Sequence, residues 1–464
     1  MIKLHFNNKK YIAGLLLATA LTPSCKKLID IPANPPTAIT EAQQFADSAS
    51  AMTAVAGVYS YVSYGSGFMY NDASLTITTG LSSDELSTTI TYDPFLPQFY
   101  SYGVTNLNTY ANTLWAAPYS GIYPVNVILS NVTASNKLSA AFRTQIAGEM
   151  KFVRAFYYFN LVNLFGGVPI VTSTDYKTNA TLPRASADSV YSLILSDLAD
   201  ARKALTATYP SSGHLRPNLY TVLSLLAKVQ LYHQQWQAAY DDANTVIGSG
   251  AYSLETDPDN VFLDGSSEAI WQIPATNATS VTQEATKFIP YSSGIVPSYL
   301  LTPFLMNAFE PGDLRFQSWV KDFAVNGQDF YAPYKYKNLS PASPTTEDYM
   351  IFRLAELYLI RAEAAAQLGN TAGALDDLNQ VRARAGLAPS TASTQADILA
   401  AIMHERQVEL FTEWGSRWFD LKRTGAADAV LSAEKTGWKS YQALYPVSKT
   451  QLQFNPALTQ NPGY

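Results

Sequence analysis

Apolar residues along this chain fall into two kinds of stretch. In the first they recur every three to four positions, the period of a helix with one buried face. Such patterns run at about 109–133, 138–165, 186–206, 217–233 and 236–249, and again at about 347–368, 371–385, 395–413 and 416–424. Phe152, Ala155, Phe156 and Phe159 show the spacing and belong in a core, and Gly166, Gly167 and Pro169 end that helix. An earlier helix is predicted from Glu41 to about Tyr61, capped by Thr40, with Phe45, Met52, Val55 and Val58 near one face. In the second kind of stretch, 63–108 and 251–345, the period is lost and Gly, Ser, Thr, Asn, Pro and Tyr take over. These read as long loop regions, which in a compact domain are functional or disordered, and their aromatics argue against disorder. A short strand is predicted at 268–273, and the end from Tyr445 is irregular.

Two helix pairs look alike. Ala227 and Ala239 lie twelve apart, as do Ala362 and Ala374, each pair bracketing a turn. Small residues at that spacing let antiparallel helices approach closely, as in tetratricopeptide repeats, although the usual Trp and Gly of the first repeat helix are missing. The fold expected is mainly α: helix pairs as a scaffold, with long irregular loops and short strands.

The first residues have a different character. Lys3, His5, Lys9 and Lys10 precede an apolar run from Tyr11 to Leu21, which ends in Thr22-Pro23-Ser24-Cys25. The run is about half of the ~20 residues that span a bilayer, so it reads as a signal peptide. Leu21 to Cys25 resembles a bacterial lipobox, in which the cysteine is acylated, although Thr22 stands where the lipobox leucine is usual. The alternative is an incidental thiol after an ordinary signal peptide. The expected organisation is a signal peptide over 1–24, a lipidated Cys25 with an extended Pro-rich tether over 25–40, and one domain over 41–464.

Composition narrows the function. A net charge of −6 gives no basic footprint for nucleic acid. Cys25 is the only cysteine, so stability comes from the core rather than from an internal disulfide. Charged residues are only 15% of the chain while 30 are Tyr, which suits binding of neutral polar ligands as well as core packing.

Four segments, in order, resemble the SusD/RagB family of outer-membrane nutrient-binding lipoproteins. They are Gly148 to Phe159 continuing to Phe165-Gly-Gly-Val-Pro-Ile170, the 220–254 helix pair ending Ser249-Gly-Ala-Tyr-Ser-Leu254, Glu405 to Arg423, and the C-terminus from Tyr445-Pro-Val447 to Asn455-Pro-Ala and Tyr464. The resemblance implies a SusD-like fold, a lipid-anchored place at the outer membrane facing outward, and a partner transporter of the SusC kind, TonB-dependent, over which the protein closes as a lid. It implies capture of a nutrient glycan or, in some members, an oligopeptide. Tetratricopeptide helices would face the transporter and loops on the opposite side would hold the ligand. Lys26 and Lys27 depart from the acidic residues often found after such a cysteine, which leaves the membrane leaflet open.

Aromatic faces stack on the C–H faces of sugars while polar groups bond the hydroxyls. Tyr64, Tyr70, Tyr92, Phe95, Phe99 and Tyr100 in one loop region, and Tyr291, Tyr299, Trp319 and Tyr331 in the other, are the candidate ligand-binding rings; Asp72 and Asp84 are candidate hydroxyl acceptors. Core packing is the competing reading for each ring. Trp115, Tyr119 and Tyr123 lie on a helical pattern and are assigned to the core. Asp72, Asp84 and Glu85 are the carboxylates a glycosidase reading would use, but no catalytic residue is assigned. Glu405, Glu409 and Glu413 lie four apart and read as a buried ion-pair network, with Arg406 and Arg417 nearby and Asp313-Leu-Arg315 as a structural turn. His404-Glu405 begins a zinc motif, but Val408 stands at its second histidine. No metal or cofactor is assigned, and a calcium site of Asp and backbone oxygens stays open.

Overall fold

The structure, a computed structural model, describes residues 39–64, 73–275, 281–340 and 346–464; the signal segment, Cys25, most of the tether, Tyr70 and Asp72 lie outside these residues. The long helices begin where short polar side chains cap them. Asn108, Ser139, Ser186 and Asn218 each accept from a backbone N–H three residues on, starting the helices Thr109–Ala134, Ala140–Phe165, Ala187–Ala204 and Leu219–Tyr232. The Ala140–Phe165 helix packs between Thr109–Ala134 and Ala187–Ala204. Gly121 allows the first of these contacts, since a Cβ there would stand 2.5 Å from the Tyr157 ring.

The expected repeat-like pairs form. Leu219–Tyr232 packs on Trp236–Gly248, and Leu354–Gln367 packs on Thr371–Arg384. Ala227, Ala239, Ala362 and Ala374 are completely buried between them. The two pairs stack although a long segment separates them in sequence, for Trp236–Gly248 lies on Leu354–Gln367. Arg361 ties the stack together, donating to Asp377 at 2.6 and 2.7 Å and to Asn244 of the preceding pair at 2.7 Å.

Several elements differ from expectation. The helix expected from Glu41 to Tyr61 is two: Thr40 and Gln43 form a capping box for Glu41–Gln44, and Asp47 accepts from Ser50 N–H at 2.8 Å to begin Ser48–Tyr64. Within the expected loop 63–108 lies a helix, Ser74–Ser82, buried on every side. Its Thr and Ser residues hide the apolar period. Thr78, Thr79 and Ser82 satisfy their own hydroxyls on carbonyls four residues back, at 2.7, 2.6 and 2.9 Å, so burial costs them little. Residues 348–353, expected as helix, form a strand antiparallel to Ala269–Pro274, with Ile273 opposite Tyr349 and Gln272 opposite Met350. A short apolar run reads equally as strand or helix, and a partner far away in sequence decides it. The end is not wholly irregular, since Ser448 caps a helix Lys449–Phe454.

Candidate functional site

The loop region between the repeat-like pairs is clamped to the scaffold by buried charge. Arg315 donates to Asp313, to Glu405 at 2.6 Å and to Glu409 at 2.9 Å. Arg353 and Arg384 also reach Glu409, while Arg353 and Lys335 bond Glu413. The sequence reading of a structural network holds, with different partners from those expected. Arg406 pairs with Asp420 and Arg417 with Asp84. Burial pushes the Glu409 carboxyl up, but Arg384, Arg353 and Arg315 outweigh it and hold it well below the usual range. Lys335, at 4.7 Å over Trp319 and 4.0 Å over Phe411, is lowered to about 8 by burial although Glu413 opposes the shift.

A short ladder brings the two loop regions together. Leu86–Thr88 runs antiparallel to Tyr299–Leu301, with Thr88 opposite Tyr299. Thr89 extends the pairing, its hydroxyl donating to Pro297 O at 3.0 Å. The chain leaving the first strand therefore runs beside the chain entering the second, and Tyr92 and Tyr291 belong to the same end of the ladder. Tyr92 is 84% exposed and Tyr291 89%. The hairpin of Val320–Val325 and Gln328–Pro333 packs on Tyr299–Leu301 and carries half-buried Tyr331. Pro97–Tyr100 packs on Leu86–Thr88 and brings Tyr100, with Lys435 Nζ 4.6 Å from its ring.

The turn holding Tyr92 and Phe95 is fixed by a residue that sequence reasoning missed. Asp93 accepts from the N–H groups of Phe95 and Leu96 at 2.8 and 3.0 Å, and from the Tyr110 hydroxyl at 2.7 Å. Partial burial works against its charge, but these bonds hold the carboxyl below its ordinary value. Asn108 ties the same turn to the long helix, donating to Phe95 O at 2.9 Å and to Gln98 at 3.0 Å. An Asp-Pro pair before a helix is the local signal that could have found this turn.

Several candidate residues are corrected. Phe99, Tyr299 and Trp319 are core: Phe99 meets Tyr445 edge-on at 5.1 Å, Tyr299 meets Phe288 at 5.9 Å, and Trp319 donates to Pro258 O at 2.9 Å. Asp84 is fully buried in a bidentate pair with Arg417, at 2.8 and 2.6 Å, and accepts from Gln407. Glu85 beside it is pushed up to about 8, by burial first and by Asp84 second. A carboxylate closed off by its own partners offers nothing to a sugar hydroxyl. Tyr123, assigned to the core, is exposed, whereas Trp115 is buried and Tyr119 half-buried. Tyr64 is the last residue of its helix; Tyr70 and Asp72 lie outside the described residues. The exposed or half-buried rings that remain are Tyr92, Phe95, Tyr100, Tyr291 and Tyr331.

These features define a class: a helical-repeat scaffold that presents an irregular aromatic surface built from two inserted loop regions. Residues 320–464 match the SusD family, and residues 50–231 match a second SusD-like family described as starch-binding, associating with the outer membrane. Two SusD-like proteins of Formosa agariphila are 26% and 28% identical to this chain, covering 75% of it and 79% and 78% of their own lengths. Among solved structures, a laminarin-binding SusD-like protein superposes with a TM-score of 0.76 at 25% identity, over 90% of this chain and 100% of that one. A SusD superfamily protein of Bacteroides vulgatus reaches a TM-score of 0.79 at 19% identity, over 90% and 99%. The chain belongs to the SusD/RagB family.

Proposed function

We propose that this protein is a surface-exposed outer-membrane lipoprotein, anchored through Cys25, which captures a nutrient glycan and passes it to a SusC-like TonB-dependent transporter for which it is the lid. The observation that carries the binding role is the pair of exposed tyrosines, Tyr92 and Tyr291, delivered from separate loop regions to one end of a short ladder. Exposed rings have no folding reason to be held by a clamp such as Asp93, and a sugar face supplies one. The names of the starch-binding and laminarin-binding relatives support a glycan. Among the described residues no helix is long and apolar enough to cross a membrane. Our reading is binding without turnover, supported by the burial of Asp84 and Glu85, two of the three carboxylates a glycosidase reading would use.

Calorimetry of the full chain against starch and laminarin oligosaccharides, other neutral glycans and oligopeptides tests this. Saturable binding of one glycan class, weakened at least about tenfold in Tyr92→Ala/Tyr291→Ala, is expected. Binding of peptides alone moves the protein to the peptide-capturing branch of the family. Retention of Cys25→Ala protein in the membrane fraction, with no partner present, refutes the anchor.

A further inference from the structure

Apart from the loop surface, a cavity of about 270 Å³ lies between the Thr109–Ala134 helix, the segment after Ala140–Phe165, and the Lys449–Phe454 helix. Trp115 and Tyr119, with ring centroids 5.9 Å apart, contribute to its wall. Phe454, 77% exposed, contributes an accessible ring. The polar side chains of the lining are three amides, each making one donor bond to protein, and the Tyr119 hydroxyl, which donates to Pro169 O at 2.8 Å. Asn179 donates to Ser173 O at 2.7 Å, Gln451 to Asn112 Oδ1 at 3.2 Å, and Asn455 to Leu182 O at 2.8 Å. Asn455 Oδ1 also accepts from Ala457 N–H at 3.0 Å. These bonds fix the amides, leave each a second N–H, and leave Asn179 Oδ1 and Gln451 Oε1 as amide oxygens with no hydrogen bond from the described residues.

The lining selects one chemistry. None of the described residues around the cavity is charged, so an ionic ligand finds no counter-charge. A wholly apolar ligand would cover these half-exposed amide oxygens without pairing them, at about 1–3 kcal/mol for each. A ring with a C–H face and hydroxyl donors satisfies both surfaces. The volume lies below the ~300–1,000 Å³ of sites for larger ligands, which limits the occupant to one ring. We infer that this cavity is a second saccharide subsite taking a single uncharged sugar ring, its C–H face on Phe454 and its hydroxyls donating to Asn179 and Gln451. A separate cleft of about 300 Å³, lined among others by Asn106, Asn112 and Lys449, flanks the same helix. The inference does not depend on the loop surface, with which the cavity shares no residue.

The test is titration of the full chain in detergent with the methyl glycosides of glucose, galactose, mannose and xylose. Binding is read from the ring resonance that Phe454→Ala removes, in protein carrying labelled phenylalanine. At least one glycoside is expected to shift that resonance. The affinity of that glycoside, measured by saturation transfer, is expected to fall about three- to tenfold in Phe454→Ala and in Asn179→Ala. Phe454 is exposed, so its removal leaves the core intact. Silence of the resonance with all four glycosides overturns the inference. So does unchanged affinity in both variants, or a shift abolished by Tyr92→Ala/Tyr291→Ala, which places the ring on the loops. Silence towards glycosides with Phe454 protected by a bound transporter makes the cavity a protein contact instead.

Discussion

Replacing Glu409 by glutamine tests how the loop region is held. Three guanidinium groups converge on this carboxylate, from Arg315 in the loop region, Arg353 at the end of a strand and Arg384 at the end of a repeat-like helix. The amide would keep the shape, lose the charge and offer one acceptor oxygen in place of two. The backbone carbonyl of Glu409, which accepts from Lys335 at 2.8 Å and Arg353 at 2.9 Å, would be unaffected by the change. Hydrogen bonds to charged groups contribute about 1.5–3 kcal/mol each, and breaking a buried ion pair from one side costs about 3–5 kcal/mol. A loss of about 3–5 kcal/mol is therefore expected, a large part of the roughly 5–15 kcal/mol that holds a typical domain. Urea unfolding followed by circular dichroism measures it. The pH dependence gives a second reading. The folded carboxyl sits far below its unfolded value of about 4.3. Its contribution is present above that unfolded value and fades only as pH falls through the folded one. Glu409→Gln lacks the contribution throughout, so its acid limb should be shallower. A loss under about 1 kcal/mol, the range of exposed pairs, with an unchanged acid limb, refutes the clamp.

Asp93→Ala should loosen the turn that carries Tyr92 and Phe95, lowering glycan affinity by about tenfold in calorimetry, while the repeat-like helices melt unchanged. Gly121→Ala forces a Cβ into the Tyr157 ring and should cost about 1–3 kcal/mol in chemical unfolding. Glu85 has a folded pKa raised to about 8, so its contribution is fully present below its unfolded value and is lost as pH rises through the folded one. Glu85→Gln should therefore flatten the decline in stability between about pH 5 and pH 9, a decline limited to about 1.4 kcal/mol per pH unit for one proton; an unchanged profile removes Glu85 as its source.

The helical scaffold was legible because its information is local. Small residues at Ala227, Ala239, Ala362 and Ala374, and apolar spacing along Phe152 to Phe159, act within a few turns of chain. Glu405, Glu409 and Glu413 could be read as a network for the same reason, since their four-residue spacing puts them on one face. Their partners could not, for Arg315, Arg353, Arg384 and Lys335 arrive from four other places in the chain. The Ser74–Ser82 helix escaped because hydroxyl-to-carbonyl bonds, rather than an apolar stripe, make its burial possible.

Local pattern was enough to specify a mainly helical chain, the two loop regions, and a surplus of aromatic residues in both. Sorting those rings took the folded molecule. Trp319 and Phe99 went to the core, while Tyr92 and Tyr291 came to the surface at one end of a three-residue ladder. Ring type and loop position say how much apolar area a residue has to bury. Whether that area meets protein or solvent depends on what packs against it, and here the deciding neighbours are brought from distant parts of the chain.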